Sequence, residues 1–147
     1  MSESESQTVV CRHGDIWIAA QPSEADLDQW AADGVKMIVN SRTPGETSGL
    51  SFYLPEAVET RGMRYVELPI GGTYGASAVL TATLGDLLAE ADGPVVMHCR
   101  TGGRSAHLYA AHLVDTGQDG EDPFDTMNWP GPRDMNMVRA LVPVRGA

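Results

Sequence analysis

Lysine is almost absent from this chain: of 10 cationic residues, nine are arginine and only Lys36 is lysine. Set against 20 Asp and Glu, they leave a formal charge of −10 over 147 residues. A chain of that sign repels polyanions, which argues against binding nucleic acid or an anionic membrane surface. Cysteine is scarce too. The 2 cysteines, Cys11 and Cys99, are too few and too far apart for the disulfide framework of a secreted mini-domain. No apolar run approaches the roughly 20 residues of a membrane span. The stretch Met1–Gln7 is acidic and lacks the basic-then-apolar pattern of a secretory leader, so it reads as a short disordered tail. The expectation from these absences is a soluble cytoplasmic protein. No internal repeat is visible.

What remains suits one domain over residues 8–147, with 42% apolar and 20% charged residues, ordinary globular values. Two short apolar runs, Thr8–Cys11 and Ile16–Ala20, flank Arg12–Asp15 and predict a hairpin or bend. Ser23 caps a helix carrying Leu27, Trp30 and Ala31 inward, stopped by Gly34. Val35–Asn40 is a strand, and Ser41–Gly49 a polar loop. Pro55 opens a second helix to about Arg61, followed by the strand Met63–Leu68 and the Gly-rich loop Pro69–Gly75. A long helix over Ser77–Ala91 turns Val79, Leu80, Leu84, Leu87 and Leu88 inward. Val95–His98 is a buried strand, and a helix runs from about Gly103 to Asp115. Prolines 123, 130 and 132 make Gln118–Pro132 an irregular surface segment before a last helix near Asp134–Val142.

Alternating strands and helices at these spacings predict an α/β fold of three layers, with a mainly parallel central sheet flanked by helices. Ligands of such sheets sit beyond the carboxyl ends of the strands. Three loops therefore share one edge: Ser41–Gly49, Pro69–Gly75 and Cys99–Gly103.

Val95-Val-Met-His-Cys-Arg-Thr-Gly-Gly-Arg-Ser105 is the informative stretch. A buried strand delivers Cys99 to its carboxyl end, a tight loop follows, and Arg104-Ser105 opens a helix. Such a loop turns successive N–H groups to one point, where the helix N-terminus adds positive potential. Gly102 and Gly103 permit close approach of backbone to ligand, and Thr101 lies on the same loop. Arg104 can fork across two anion oxygens, with Arg100 at the rim. The setting favours a thiolate at the floor of a small anion pocket, so the few arginines matter individually. Nothing in the pattern asks for a metal or an organic cofactor. The partner expected from this pocket is a small anionic substrate.

His98-Cys99-Arg-Thr-Gly-Gly-Arg104-Ser105 resembles the signature loop of cysteine-dependent protein-tyrosine and dual-specificity phosphatases. More closely, Ala20-Gln-Pro-Ser23, Gly34-Val-Lys-Met-Ile-Val-Asn-Ser-Arg42, Glu46 and Cys99-Arg-Thr-Gly-Gly-Arg-Ser105 resemble the phosphatase-like domain found fused to β-lactamase-like hydrolases. The resemblance covers about residues 14–115 and implies the protein-tyrosine-phosphatase-like fold. It also implies Cys99 as nucleophile, Arg104 as oxyanion clamp, Ser105 as an aid to the departing thiolate, and His98 orienting the loop from beneath.

Two departures bear on the chemistry. Four residues separate Cys99 from Arg104, one fewer than in phosphatases of this type and the same number as in rhodanese sulfurtransferases. The loop where dual-specificity phosphatases carry an Asp general acid is here Leu68-Pro-Ile-Gly-Gly-Thr-Tyr-Gly75, without a carboxylate. Loss of a general acid costs typically 10²–10⁴-fold on an unactivated ester; Glu46, Asp125 or a substrate's own good leaving group would compensate. The reading is phosphomonoester hydrolysis through a cysteinyl-phosphate on Cys99, with rhodanese-type sulfur transfer through a Cys99 persulfide as the alternative. A non-catalytic phosphate binder has no use for Cys99.

The remaining candidates are less specific. Arg42 and Glu46 form either a second anion contact or a solvated ion pair, and Asn40 caps its loop. His107 and His112, five apart, face different sides of their helix and read as ordinary helix residues. Cys11 is either a resolving thiol for an oxidised Cys99 or, the preferred reading, an edge-strand residue. Trp17 and Trp30 belong to the core, and Trp129-Pro-Gly-Pro132 is a possible lid.

Overall fold

The computed structural model describes residues 8–144; the tail expected at Met1–Gln7 lies outside them. Five strands, β1 (Val9–His13), β2 (Ile16–Ala19), β3 (Met37–Asn40), β4 (Arg64–Glu67) and β5 (Val95–His98), form one sheet in the order β1-β2-β5-β3-β4. Only the β1–β2 hairpin is antiparallel. Every residue of β3 and β5 is buried, as central parallel strands covered on both faces must be. At one edge Arg64 and Glu67 of β4 are exposed, charges that discourage a further strand from pairing there.

Among the described residues, seven α-helices follow the loops: α1 (Glu24–Ala32), α2 (Pro44–Ser48), α3 (Leu54–Glu59), α4 (Ala78–Glu90), α5 (Gly103–Asp115), α6 (Pro123–Thr126) and α7 (Met135–Leu141). Because side chains alternate along a strand, the sheet sends two sets of apolar residues to opposite sides. Ile18, Val39, Val95 and Met97 pack with Leu84, Leu87, Leu108, Phe124 and Leu141, from α4 to α7. Trp17, Ile38 and Val96 pack with Leu27, Trp30, Leu54 and Val58, from α1 and α3. The result is the expected three layers. Truncating a fully buried Leu such as Leu108 costs about 2–5 kcal/mol.

Several local expectations need correction. The polar loop Ser41–Gly49 contains α2, nucleated by a reciprocal cap in which the Thr43 hydroxyl accepts from the Glu46 N–H while the Glu46 carboxylate accepts from the Thr43 N–H. Val79 points outward, 70% exposed; Leu84 and Leu87 with Thr81 make the buried stripe of α4. The segment 118–132 is not wholly at the surface. Pro123 starts the single turn of α6, and Phe124, Met127 and Trp129 are built into the core.

β5 lies between β2 and β3, so its carboxyl end is flanked by the loops after both. Backbone bonds stitch these ends together: Ser41 N–H donates to the His98 carbonyl at 2.8 Å and Gln21 N–H to the Arg100 carbonyl at 3.1 Å.

Candidate active site

Cys99 leaves β5 with 1% of its surface exposed. Gly102, the N-cap of α5, takes φ +98°, a left-handed conformation that glycine alone adopts without strain. That conformation aims the Gly102 N–H at Cys99 Sγ, 3.1 Å away, so the sulfur sits at the positive end of the 13-residue helix α5. Arg100 and Thr101 lie exposed on the outside of the loop, while Gly103 is half-buried.

Arg104 is held as a two-point fork. Its Nη1 donates to Glu46 Oε1 at 2.8 Å and to the Ile70 carbonyl at 2.9 Å, and Nη2 donates to Glu46 Oε2 at 3.0 Å. This arrangement leaves the Nε–H side of the guanidinium uncommitted to Glu46. The Arg104 fork, with the Thr43 N–H, holds the Glu46 carboxyl well below the usual carboxylate range. Glu46 is therefore a fixed carboxylate and no proton donor at neutral pH. Arg42 flanks the same carboxylate, Nε to Oε2 3.6 Å, while its Nη1 donates to Gln21 Oε1 at 2.9 Å.

His98 is fully buried. Its Nδ1 lies 3.3 Å from the Cys99 carbonyl and its Nε2 has no partner. Burial pushes its pKa down to about 4, so the ring is neutral and Nδ1 carries the proton that reaches the carbonyl. Ser105 is buried too, with a hydroxyl that finds no hydrogen-bond partner. Asn40 does more than cap its loop: its Oδ1 accepts from Arg42 N–H, and its Nδ2 donates to Thr47 Oγ1 and to the Tyr65 hydroxyl.

The structure thus gathers Cys99, Gly102, Arg104, Glu46 and Arg42 at one edge, with Gly71 close enough that a Cβ there would lie 3.6 Å from Arg104 Nη1. The three loops do share that edge. Asp125 stays apart, paired with Arg133 at 2.9 Å. His107 is buried and makes two hydrogen bonds, more than an ordinary helix residue. No local pattern in the sequence points to Gln21 as a partner of Arg42 or to the Ile70 carbonyl as a partner of Arg104. The Glu46 anchor was legible in part, since Thr43-Pro-Gly-Glu46 has the spacing of a capping box. Among the described residues no group of three or more His, Cys, Asp or Glu is placed to hold a metal, and no helix is long and apolar enough to cross a membrane.

Residues 10–116 match the model of the family described as the phosphatase-like domain of beta-lactamase hydrolase-like protein. A beta-lactamase hydrolase-like protein of Agrobacterium fabrum is 38% identical over 96 residues, 64% of this chain but 22% of that protein. One from Xylella fastidiosa is 29% identical over 75% of this chain and 26% of its own length. The chain therefore spans about a quarter of these relatives or less. Among solved structures, a phosphatase candidate from Neisseria meningitidis superposes with TM-score 0.62 at 25% identity, over 77% of this chain and 80% of that one. Tk-PTP in its active form gives TM-score 0.73 at 21% identity, over 93% and 97% of the two chains.

Proposed function

This chain belongs to the family of phosphatase-like domains of beta-lactamase hydrolase-like proteins, and on that premise we propose that it hydrolyses a small phosphomonoester through a cysteinyl-phosphate on Cys99. The observation that carries the reading is the Gly102 N–H directed at Cys99 Sγ beside an Arg104 fork already anchored by Glu46. In the first step the Cys99 thiolate attacks phosphorus, the S–P bond forms as the ester P–O bond breaks, and the leaving oxygen departs with the electron pair and takes a proton from water. In the second, water attacks the phosphocysteine, releasing inorganic phosphate and returning the thiolate.

In this reading Arg104, Gly102, Gly103 and the Thr101 and Arg100 backbone form the anion-binding set, donating where negative charge develops on the equatorial oxygens. His98 is a positioning residue, holding the loop from beneath through the Cys99 carbonyl. In this reading the buried, unpartnered Ser105 hydroxyl stabilises the departing thiolate, and Arg42 adds field at the rim. One fold unit over residues 8–147 is the proposed extent of the domain. The acidic surface favours small anions enclosed by the loop over nucleic acid or anionic membranes.

Sulfur transfer through a Cys99 persulfide keeps the loop length on its side, but the family match and the structural likeness both fall on the phosphatase side. The deciding experiment compares the parent with Cys99→Ser for p-nitrophenyl phosphate hydrolysis and for thiocyanate formation from thiosulfate and cyanide. Phosphate release that vanishes in Cys99→Ser is expected. Thiocyanate production without phosphate release would overturn the proposal, and either activity surviving in Cys99→Ser would remove Cys99 as nucleophile.

A further inference from the structure

The family match ends at residue 116, yet the Cys99 loop is packed against residues beyond it. A Cβ built on Gly102 would lie 3.2 Å from both Cη2 and Cζ3 of Trp129 and 3.4 Å from the Ala19 carbonyl. The side of Gly102 where a side chain would stand is therefore closed by the indole together with the end of β2. The indole cannot drift: Trp129 is buried, its N–H donates to the Phe124 carbonyl at 2.9 Å, its Nε1–H to the Pro132 carbonyl at 3.0 Å, and its own carbonyl accepts from Arg133 Nη2 at 3.2 Å. Gly131 lets the chain pass this close, since a Cβ there would fall 2.5 Å from Trp129 Cζ2.

A second tie holds the next residue. His107 meets the Gly103 carbonyl through Nδ1 at 2.7 Å and accepts the Asp134 N–H at Nε2, 2.8 Å. Its ring stands edge-on to Phe124, centroids 4.9 Å apart. Two consecutive loop glycines are thus fastened to one segment, Phe124–Asp134, by two buried rings. A loop with adjacent glycines has more backbone freedom than any other, and a hydrogen bond to sulfur decays steeply as its donor turns away. External bracing supplies the fixed geometry that the loop sequence alone lacks.

We propose that Trp129 is a positioning residue for Cys99: it holds Gly102 in the conformation that aims its N–H at the sulfur. The segment 124–134 is then a built-in brace of the site, in place of the lid suggested by Trp129–Pro132. This rests on the proposed role of Cys99, but its primary readout does not require turnover.

The test measures site-specific alkylation of Cys99 by iodoacetamide against pH, alongside p-nitrophenyl phosphate kinetics and thermal melting. In Trp129→Leu and Gly131→Ala the pH of half-maximal alkylation rate should move up. The rate at pH 7 should fall roughly fivefold, the factor set by one weakened hydrogen bond, with kcat falling more than KM changes. Trp129→Phe should recover most of this. Leu141→Ala, a core truncation in α7, should lower the melting temperature and leave the alkylation profile unmoved. Profiles of Trp129→Leu and Gly131→Ala that superimpose on the parent would overturn the proposal; where Trp129→Leu does not fold, Gly131→Ala decides. Shifted profiles in a protein without phosphatase activity would sink the catalytic reading and leave the brace standing. Hydrolysis with unmoved profiles would sink the brace alone.

Discussion

Glu46 and Arg104, 58 residues apart in sequence, meet as a parallel two-bond pair at 2.8 and 3.0 Å. The carboxylate is itself fixed by the Thr43 cap of α2, so the loop after β3 sets the angle of an arginine on α5. A guanidinium on a long stem has several rotamers to lose when it orders; here the loss is taken during folding, before any anion arrives.

Glu46→Gln should therefore lower kcat/KM for p-nitrophenyl phosphate by about 10–100-fold, the range expected for losing charge-assisted hydrogen bonds to a positioned cation. The sign of its pH dependence follows from the depressed carboxyl. A group whose folded pKa lies below its unfolded value contributes fully above the latter, about 4.3 for Glu, and loses its contribution as pH falls through the former. Between pH 5 and 8 the pair does not titrate. The Glu46→Gln profile should be lower than the parent's but of the same shape there. Disappearance of a limb of the profile would make Glu46 a proton donor and overturn this role.

Among the described residues, neither carboxylate expected to compensate for a missing acid is free to protonate a leaving group. Glu46 is held ionised by Arg104, Asp125 is bound to Arg133, and the loop Leu68–Gly75 has no carboxylate. Hydrolysis should depend steeply on the leaving group. Rates on alkyl phosphates should trail those on p-nitrophenyl phosphate by about 10²–10⁴-fold, the contribution a general acid would have made. Measuring kcat/KM across a series of substituted phenyl phosphates checks this. A flat dependence would mean that an acid, or a water held by one, acts at the site.

The strand and helix order was legible because its signals are local: the apolar run of β5, the caps at Ser23 and Gly34, the glycines at 102 and 103. What was not legible depends on partners far away in sequence. Nothing periodic links Glu46 to Arg104, or Gln21 to Arg42. Phe124, Met127 and Trp129 fit no helical or strand period, and three prolines around them suggested a surface path, yet each side chain finds a slot against α5 and its neighbours. Val79 erred the other way. It lies at the end of an apolar helix, where the stripe has already turned to solvent.

His98 carries a stability signature of its own. Its folded pKa of about 4 lies below the ordinary 6.5 because burial penalises the charged ring. Its contribution is complete above pH 6.5 and lost as pH falls toward 4, up to about 3 kcal/mol at roughly 1.4 kcal/mol per unit. Urea unfolding at pH 7.5, 6.0 and 5.0 should show the parent losing stability faster than His98→Asn as pH falls. Parallel loss in both proteins would place the titration elsewhere.

Cys11 and Cys99 should not form a disulfide in the folded protein. Cys11 pairs with Ile18, Ile18 with Met97, and Cys99 lies two residues further along the chain of β5. Two strand spacings of about 4.8 Å and two residues of about 3.3 Å rise put the Cα atoms roughly 12 Å apart, against the limit of about 7 Å for a bridge. Burial also pushes the Cys11 thiol up to about 11, which keeps it protonated and a poor nucleophile at neutral pH. Its place is that of an edge-strand core residue beside Tyr109. Peroxide treatment of the native protein should therefore add oxygen at Cys99 and leave Cys11 as a thiol. Peptide mapping should give the same Cys99 oxidation rate in Cys11→Ser as in the parent. A linked peptide containing both cysteines, two hydrogens lighter than the sum of its parts, would require β1 to peel from the sheet and would restore Cys11 as a resolving thiol.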